Sequence, residues 1–244
     1  MTAGSGAARL RALHHGRAAD DPLVLPGPWD AASAQVFAEA GFPALATPSA
    51  GISASLGYPD GQGTPPAEMF AAIGRIARAV DIPVSADVEA GYGLPAKELV
   101  DRLLEAGAAG CNLEDTDHAA GSLRDPHAQA DFLAGVRAAA GDALVLNARV
   151  DTYLRGDRTT AEAVERGLLY VAAGADCVYP IMCPPEALPE LAEGIGAPVN
   201  ALCRPGGLSP RQLGVMGATR VTFGGGLQHQ ALDAVREMAA GLRS

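Results

Sequence analysis

Short apolar runs alternate along the chain with longer helix-like stretches, and a polar or glycine-rich turn separates each pair. The apolar runs predict strands at Leu23–Pro26, Ala44–Thr47, Val84–Asp87, Gly110–Glu114, Ala143–Arg149, Asp176–Pro180, Val199–Leu202 and Arg220–Phe223. The stretches that follow them predict helices at Ala31–Ala40, Ala67–Val80, Ala96–Ala106, Ala128–Ala140, Thr160–Ala173, Pro185–Ile195, Pro210–Met216 and Gln228–Leu242. Short, nearly continuous apolar runs suit strands buried on both faces, as a parallel sheet requires. Gly and Pro in "AGFP" (Ala40–Pro43), "VDIP" (Val80–Pro83), "EAGAAG" (Glu105–Gly110), "AAGAD" (Ala172–Asp176) and "GAP" (Gly196–Pro198) fall where helices should end. Asp30, Pro66, Pro95, Pro126, Thr159 and Ser209 fall where helices should begin. Eight strand–helix units in order predict an α/β fold, a (β/α)8 TIM barrel forming a single domain over residues 1–244. Residues 1–20 read as a flexible or short helical N-terminus, and an open α/β sheet with an irregular edge is the competing architecture.

Composition narrows the function more than the fold. A chain of 244 residues, 48% hydrophobic, has the length of one barrel of about 250 residues and is too apolar to be disordered. No apolar run approaches the ~18 residues of a membrane span, and Met1–Arg17 has no continuous apolar core, so no secretory signal is visible. The balance of 18 Lys+Arg against 28 Asp+Glu, a net charge of -10, argues against a nucleic-acid partner. Cys111, Cys177, Cys183 and Cys203 form no CxxC pair and read as reduced, mostly buried thiols of a cytoplasmic protein.

A barrel carries its chemistry at the C-terminal ends of its strands. Asp60, Asp87, Glu89, Glu114, Asp115, Arg149 and Asp151 all fall at or just after such ends. Carboxylates converging on one cavity repel unless a cation neutralises them, and a hard cation such as Mg²⁺, or Mn²⁺ in its place, takes oxygen ligands. Asp87 and Glu89, two residues apart, share a strand face, and Glu114 closes the site from the neighbouring strand. These three are the candidate metal ligands; the alternative for the acidic set is helix caps and surface charges. Arg149 ends an apolar strand and would clamp a carboxylate or phosphonate with its planar fork, or else pair with one of the acids. "SAGIS" (Ser49–Ser53) reads as a Gly-containing turn with consecutive backbone N–H groups able to hold an anion. An anion held there and by Arg149, beside Mg²⁺, describes a chelating 2-oxo acid.

Four segments carry a resemblance: "SAGISASLGYPDGQ" (Ser49–Gln62), "PVSADVEAGYG" (Pro83–Gly93), "AGAAGCNLED" (Ala106–Asp115) and "NARVD" (Asn147–Asp151). Over about Leu25 to Gly226 the chain resembles the isocitrate lyase/phosphoenolpyruvate mutase superfamily. The resemblance implies Asp87 as the nearest Mg²⁺ ligand, Glu89 and Glu114 holding the ion through waters, and Asp60 near the reacting centre. It implies that the Ser49, Ala50 and Gly51 amides and Arg149 hold a small-molecule carboxylate substrate, a 2-oxo or 2-hydroxy acid whose reaction passes through a metal-stabilised enolate. It also implies a homodimer or homotetramer, and Leu232, Val235, Met238, Ala239 and Leu242 form an apolar stripe on the last predicted helix.

The segment after the fourth strand, "TDHAAGSLRDP" (Thr116–Pro126), departs from both best-known family patterns. It has neither the Cys nor the Lys of the lyases, and Ala119 and Gly121 stand where the mutases carry Lys and Asn. Its small residues predict a mobile lid bringing Ser122, and His118 or Arg124, over the substrate as candidate catalytic groups. The expectation is a Mg²⁺-dependent enzyme with C–C lyase chemistry. C–P bond chemistry and a non-catalytic carboxylate-binding barrel are the alternatives. A phosphate-binding barrel using "FGGGL" (Phe223–Leu227) is a further one.

Overall fold

A computed structural model describes residues 3–243, the side chains from residue 6 onward. Eight short parallel strands occupy Leu23–Val24, Leu45–Ala46, Val84–Asp87, Gly110–Glu114, Val145–Val150, Cys177–Pro180, Asn200–Leu202 and Arg220–Thr222. The second through sixth form one run and the seventh, eighth and first another. A bridge between Val178 and Val199 joins the sixth strand to the seventh. The Ala46 N–H donates to Pro26 O (3.1 Å), joining the second to the first. The ring is therefore complete, and the expected barrel is the fold. Paired strands are shorter than their apolar runs at the first two positions, where Pro26 and Pro48 lack an N–H to extend the ladder.

The expected helices form within a residue or two of their expected bounds. Their starts show why. Asp30 Oδ1 accepts from Ser33 N (2.7 Å) while the Ser33 hydroxyl accepts from Asp30 N (3.2 Å), a reciprocal cap. Ser209 and Gln212 repeat the arrangement, and Asp125 and Thr159 cap their helices singly. Three helices lie outside the eight strand–helix units, and the first of them gives the segment read as a flexible or short helical N-terminus its helical form. Ala3–Leu13 crosses the N-terminal end of the barrel, burying Leu10 against Leu23, Leu25, Ala44, Ala109 and Val145. Arg11 ties it there, donating to Asp176 Oδ1 and Leu144 O at 2.9 Å each. The other two, Ser49–Leu56 and Thr152–Arg155, lie at the opposite end, where the cavity opens.

Among the described residues no helix is long and apolar enough to cross a membrane. The four cysteines are all unpaired, three of them buried.

Candidate functional site

A cavity of about 560 Å³ opens at the C-terminal ends of the strands. Its wall includes Ser49, Ala50, Asp60, Asp87, Arg149, Arg204, Gly225 and His229. The floor is polar, with Ser85, Asn112, Asn147, Asn200 and Arg220 pointing inward from the strands.

Asp87 ends the third strand and is held by four donors. Its Oδ2 accepts from the Ser49 hydroxyl (3.0 Å) and Ser49 N (3.3 Å); its Oδ1 accepts from Asn112 Nδ2 (2.9 Å) and Glu89 N (3.2 Å). Asn147 donates in turn to Asn112 Oδ1 (2.8 Å), so a relay of two amides on adjacent strands points a donor at Asp87 on a third. Just past the strand end the chain turns sharply, with Glu89 and Tyr92 at φ of 50° and 55°, a conformation that costs a non-glycine residue about 1 kcal/mol or more and clusters at functional sites. The turn buries the Glu89 carboxylate, which accepts from Gln62 N and from the Tyr92 hydroxyl (3.0 Å). Burial, then the nearby charges of Asp87 and Asp60, push Glu89 up to about 7. Asp60 sits on the exposed rim, but its carboxyl group is shielded inside the cavity mouth. That loss of solvent, and Asp87 beside it, raise Asp60 as well.

Glu114 ends the fourth strand, 2% exposed. Its Oε2 lies 2.5 Å from Arg149 Nη1, and its Oε1 takes a hydrogen bond from His118 Nε2. Burial pushes Glu114 up, against the opposing pull of Arg149 and His118. His118 is itself raised, chiefly by the hydrogen bond to Glu114. Oxygens of Glu89 and Glu114 and a ring nitrogen of His118 lie within 4.8 Å of one another.

Arg149 comes from the fifth strand, its side chain 14% exposed. Its Nε and Nη2 grip Asp151 Oδ1 and Oδ2 at 2.6 and 2.9 Å. Burial works against its charge, but Glu114 and Asp151 outweigh that and hold its pKa above the usual arginine value. Arg149 is thus paired with acids, the second of its two readings, and it also lines the cavity. Nη1 and Nη2 each carry a second hydrogen beyond these contacts, available to a ligand.

Several residues lie differently from their expected places. Ser49, Ala50 and Gly51 were read as a turn; they are the first turn of the helix Ser49–Leu56. Its amides still lack intrahelical acceptors, as any helix start does, but the Ser49 N–H is given to Asp87. Gly51 is needed there, since a Cβ would lie 3.0 Å from the Pro48 ring. The segment read as a mobile lid forms a small hairpin, Thr116–Asp117 against Ser122–Leu123. Ser122 is exposed on it and is not part of the cavity wall. Arg124 is turned away from the cavity. It donates to Ala90 O and Gln129 Oε1 at 3.2 Å each and lies over the Phe132 ring, 5.8 Å from its centre. His118 alone of the three lid candidates reaches the carboxylates.

Sequence reasoning placed Asp151 at a strand end without giving it a role, and passed over Asn112. Asn112 stands two residues before Glu114 on the same strand, so the two-residue strand period was the available signal. Asp115 proves structural: buried beneath the hairpin, it accepts from Asp151 N (2.8 Å), the Tyr170 hydroxyl (2.7 Å) and Arg166 Nη1 (3.1 Å).

Comparison with known proteins agrees with this fold. Residues 10–243 match the family model of phosphoenolpyruvate phosphomutase. An uncharacterized protein of Mycobacterium tuberculosis is 38% identical over 214 residues, 87% of this chain and 80% of the relative. The 2-methylisocitrate lyase of Aeropyrum pernix is 34% identical over 191 residues, 74% of this chain and 61% of that enzyme. Among solved structures, oxaloacetate acetylhydrolase in complex with its product oxalate superposes with a TM-score of 0.86 at 27% identity, covering 99% of this chain and 88% of the other.

Proposed function

The chain belongs to the phosphoenolpyruvate phosphomutase family, within a superfamily of lyases and mutases, and from that we propose a divalent-cation-dependent lyase that cleaves a C–C bond in a small 2-oxo or 2-hydroxy carboxylate. The observation that carries this reading is the convergence of Asp60, Asp87 and Arg149 on one cavity, with the buried Glu89 beside the first two and Glu114 paired to Arg149.

The donor set fits a hard cation. Its groups are carboxylate oxygens, one of them pushed up to about 7 by burial and by its acidic neighbours, and such a cluster is relieved by a cation. Asp87, Glu89 and Glu114 would hold it, as Mg²⁺ or Mn²⁺. When bound, the ion supplies a Lewis acid that polarises a substrate oxygen. The chain's own groups do the rest. The spare hydrogens of Arg149 and the first-turn amides beside Ser49 and Ala50 suit the substrate carboxylate, fixing its orientation. The Ser49 hydroxyl and Asn112 keep Asp87 turned to the cavity. His118, raised by Glu114 and hydrogen-bonded to it, is the group of this segment suited to carry a proton.

Cleavage between carbons comes before C–P chemistry in this reading. A migrating phosphoryl group needs positive charge close by. The hairpin tip presents only Ala119, Ala120 and Gly121, and the flanking His118 and Arg124 are engaged by Glu114 and Ala90 O. The test is a panel of small 2-oxo and 2-hydroxy acids and phosphonates with Mg²⁺, monitoring pyruvate, glyoxylate and phosphate together. Release of a 2-oxo acid without phosphate is expected; phosphate release would move the assignment to C–P chemistry.

A further inference from the structure

Above its floor, the cavity wall divides by the strands that supply it. Ser49 and Asp60 follow the second strand, Asp87 ends the third and Arg149 lies on the fifth, so the carboxylates and their partners come from strands two to five. The loops after the fifth to eighth strands supply apolar side chains instead. Leu154 comes from the short helix after the fifth, Ile181 and Met182 follow the sixth, Leu202 ends the seventh and Phe223 follows the eighth; all five line the cavity. None of the five is fully buried, and Leu154 is 37% exposed. Met182 is held at φ of 62°, in the left-handed region that a long side chain rarely adopts and that persists where the surroundings fix it, commonly at ligand sites. A second hollow of about 200 Å³ shares Pro205 and Phe223 with this wall and adds Cys203 and Leu227 to its apolar surface. Arg204 and His229 also belong to the wall, but both are exposed, and such side chains keep their polar ends in water over an apolar surface.

A cavity of about 560 Å³ lies within the ~300–1,000 Å³ of sites that enclose drug-sized ligands, well beyond what oxalate or pyruvate fills. A charged group set against the five apolar side chains would give up its hydration without gaining partners. A hydrocarbon group set there removes apolar surface from water on both sides of the contact. The ligand that matches both parts of the wall is amphipathic, with a chelating acid at one end and an apolar tail at the other.

We propose that Leu154, Ile181, Met182, Leu202 and Phe223 form an apolar subsite for a hydrocarbon tail of the substrate, which is therefore a 2-oxo or 2-hydroxy acid bearing an alkyl chain of several carbons. The placing of the acid end at Asp87 and Arg149 rests on the function proposed above; the apolar wall does not depend on it.

Calorimetric titration of the full chain in Mg²⁺ with pyruvate, 2-oxobutyrate, 2-oxovalerate and 2-oxohexanoate tests the subsite, since each acid exceeds the one before by a single CH2. Affinity should rise roughly twofold or more at each step, and so roughly eightfold or more across the series. 2-Oxoglutarate, with a carboxylate where 2-oxovalerate has its terminal methyl, should bind more weakly than 2-oxovalerate. In Leu202→Asn and Leu154→Asn the gain across the series should fall to less than half of the wild-type gain, with a cooperative melting transition confirming each fold. Leu154 is the more exposed of the two, so its replacement spares the core if Leu202→Asn does not fold. A flat series, tighter binding of 2-oxoglutarate than of 2-oxovalerate, or an undiminished gain in a folded variant overturns the proposal. Oxalate has no tail and reports on the acid end alone. Oxalate binding beside a flat series counts against the subsite only, and a rising series without oxalate binding counts against the proposed function only. No binding by any of these acids overturns both.

Discussion

Arg149 bears two carboxylates, and that determines what its replacement does. Its fork closes on Asp151 through Nε and Nη2 while Nη1 reaches Glu114. A lysine offers one ammonium and cannot span both acids. Arg149→Lys should therefore lose kcat/KM almost as severely as Arg149→Ala, by roughly 100-fold or more, with KM rising in both. Near-normal kinetics in the lysine variant would reduce Arg149 to a counter-charge. Glu89 makes a prediction in pH. Its folded value of about 7 stands above the ordinary 4.5, so the folded state favours the protonated form. Its stabilising effect is full below about pH 4.5 and is lost as pH rises through 7. In chelator, Glu89→Gln should match the wild type near pH 4.5 and exceed it in stability above pH 7, by about 3 kcal/mol. Denaturant melts of both proteins at several pH values measure this; a constant difference across that range would contradict it. At this scale the sequence was informative about which residues end strands and uninformative about their partners. Asp87, Glu89, Glu114 and Arg149 were legible because strand ends of a barrel face the cavity. The pairing of Glu114 with His118 depends on how a hairpin folds back, which no local pattern states.

The elements that carry the site differ in how readily a sequence reveals them. The eight barrel strands were plain because burial on both faces leaves an uninterrupted apolar run. The helix Ser49–Leu56 was hidden because Ser and Gly are weak helix formers. Tertiary burial of Gly51, Ile52 and Ser53 stabilises it instead. The hairpin was hidden for a similar reason. Its short pairing, Thr116 with Leu123 and Asp117 with Ser122, is sustained from outside. The Arg124 N–H donates to Asp115 O (2.8 Å), and Arg166 Nη1 donates to Arg124 O (3.0 Å). Separate alanine variants distinguish the two cationic residues of this segment. Arg124→Ala should cost roughly 1 kcal/mol of stability through its lost contacts to Phe132 and Ala90 O, leaving the turnover rate at saturation within about threefold. His118→Ala should lower kcat by 10²-fold or more if it carries the proton. Wild-type turnover in His118→Ala would place the proton carrier elsewhere and leave the hairpin as a cover.

At the scale of the whole molecule, the barrel has a closed end and an open one. The helix Ala3–Leu13 covers the N-terminal ends of the strands, while the cavity occupies the C-terminal ends. The last helix, Gly226–Gly241, begins at the cavity and runs out with Leu232, Val235 and Met238 exposed, followed by Leu242. That apolar stripe is read as a contact between copies of the chain. Light scattering at micromolar concentration should give at least a dimer, and a monomer would contradict it. The stripe was legible from the helical spacing of its residues, whereas what covers it was not, because a chain does not encode its neighbours in local pattern. The proposed activity requires that the carboxylates at the cavity mouth hold a divalent cation through which a 2-oxo acid is bound. Calorimetric titration of oxalate, which mimics a pyruvate enolate, tests it in the wild type and in Asp87→Ala, each with Mg²⁺ and in excess chelator. Binding at least tenfold tighter with Mg²⁺ than in chelator, and lost in folded Asp87→Ala, is the predicted result. Equal affinity with and without the ion, or undiminished binding to Asp87→Ala, would contradict it.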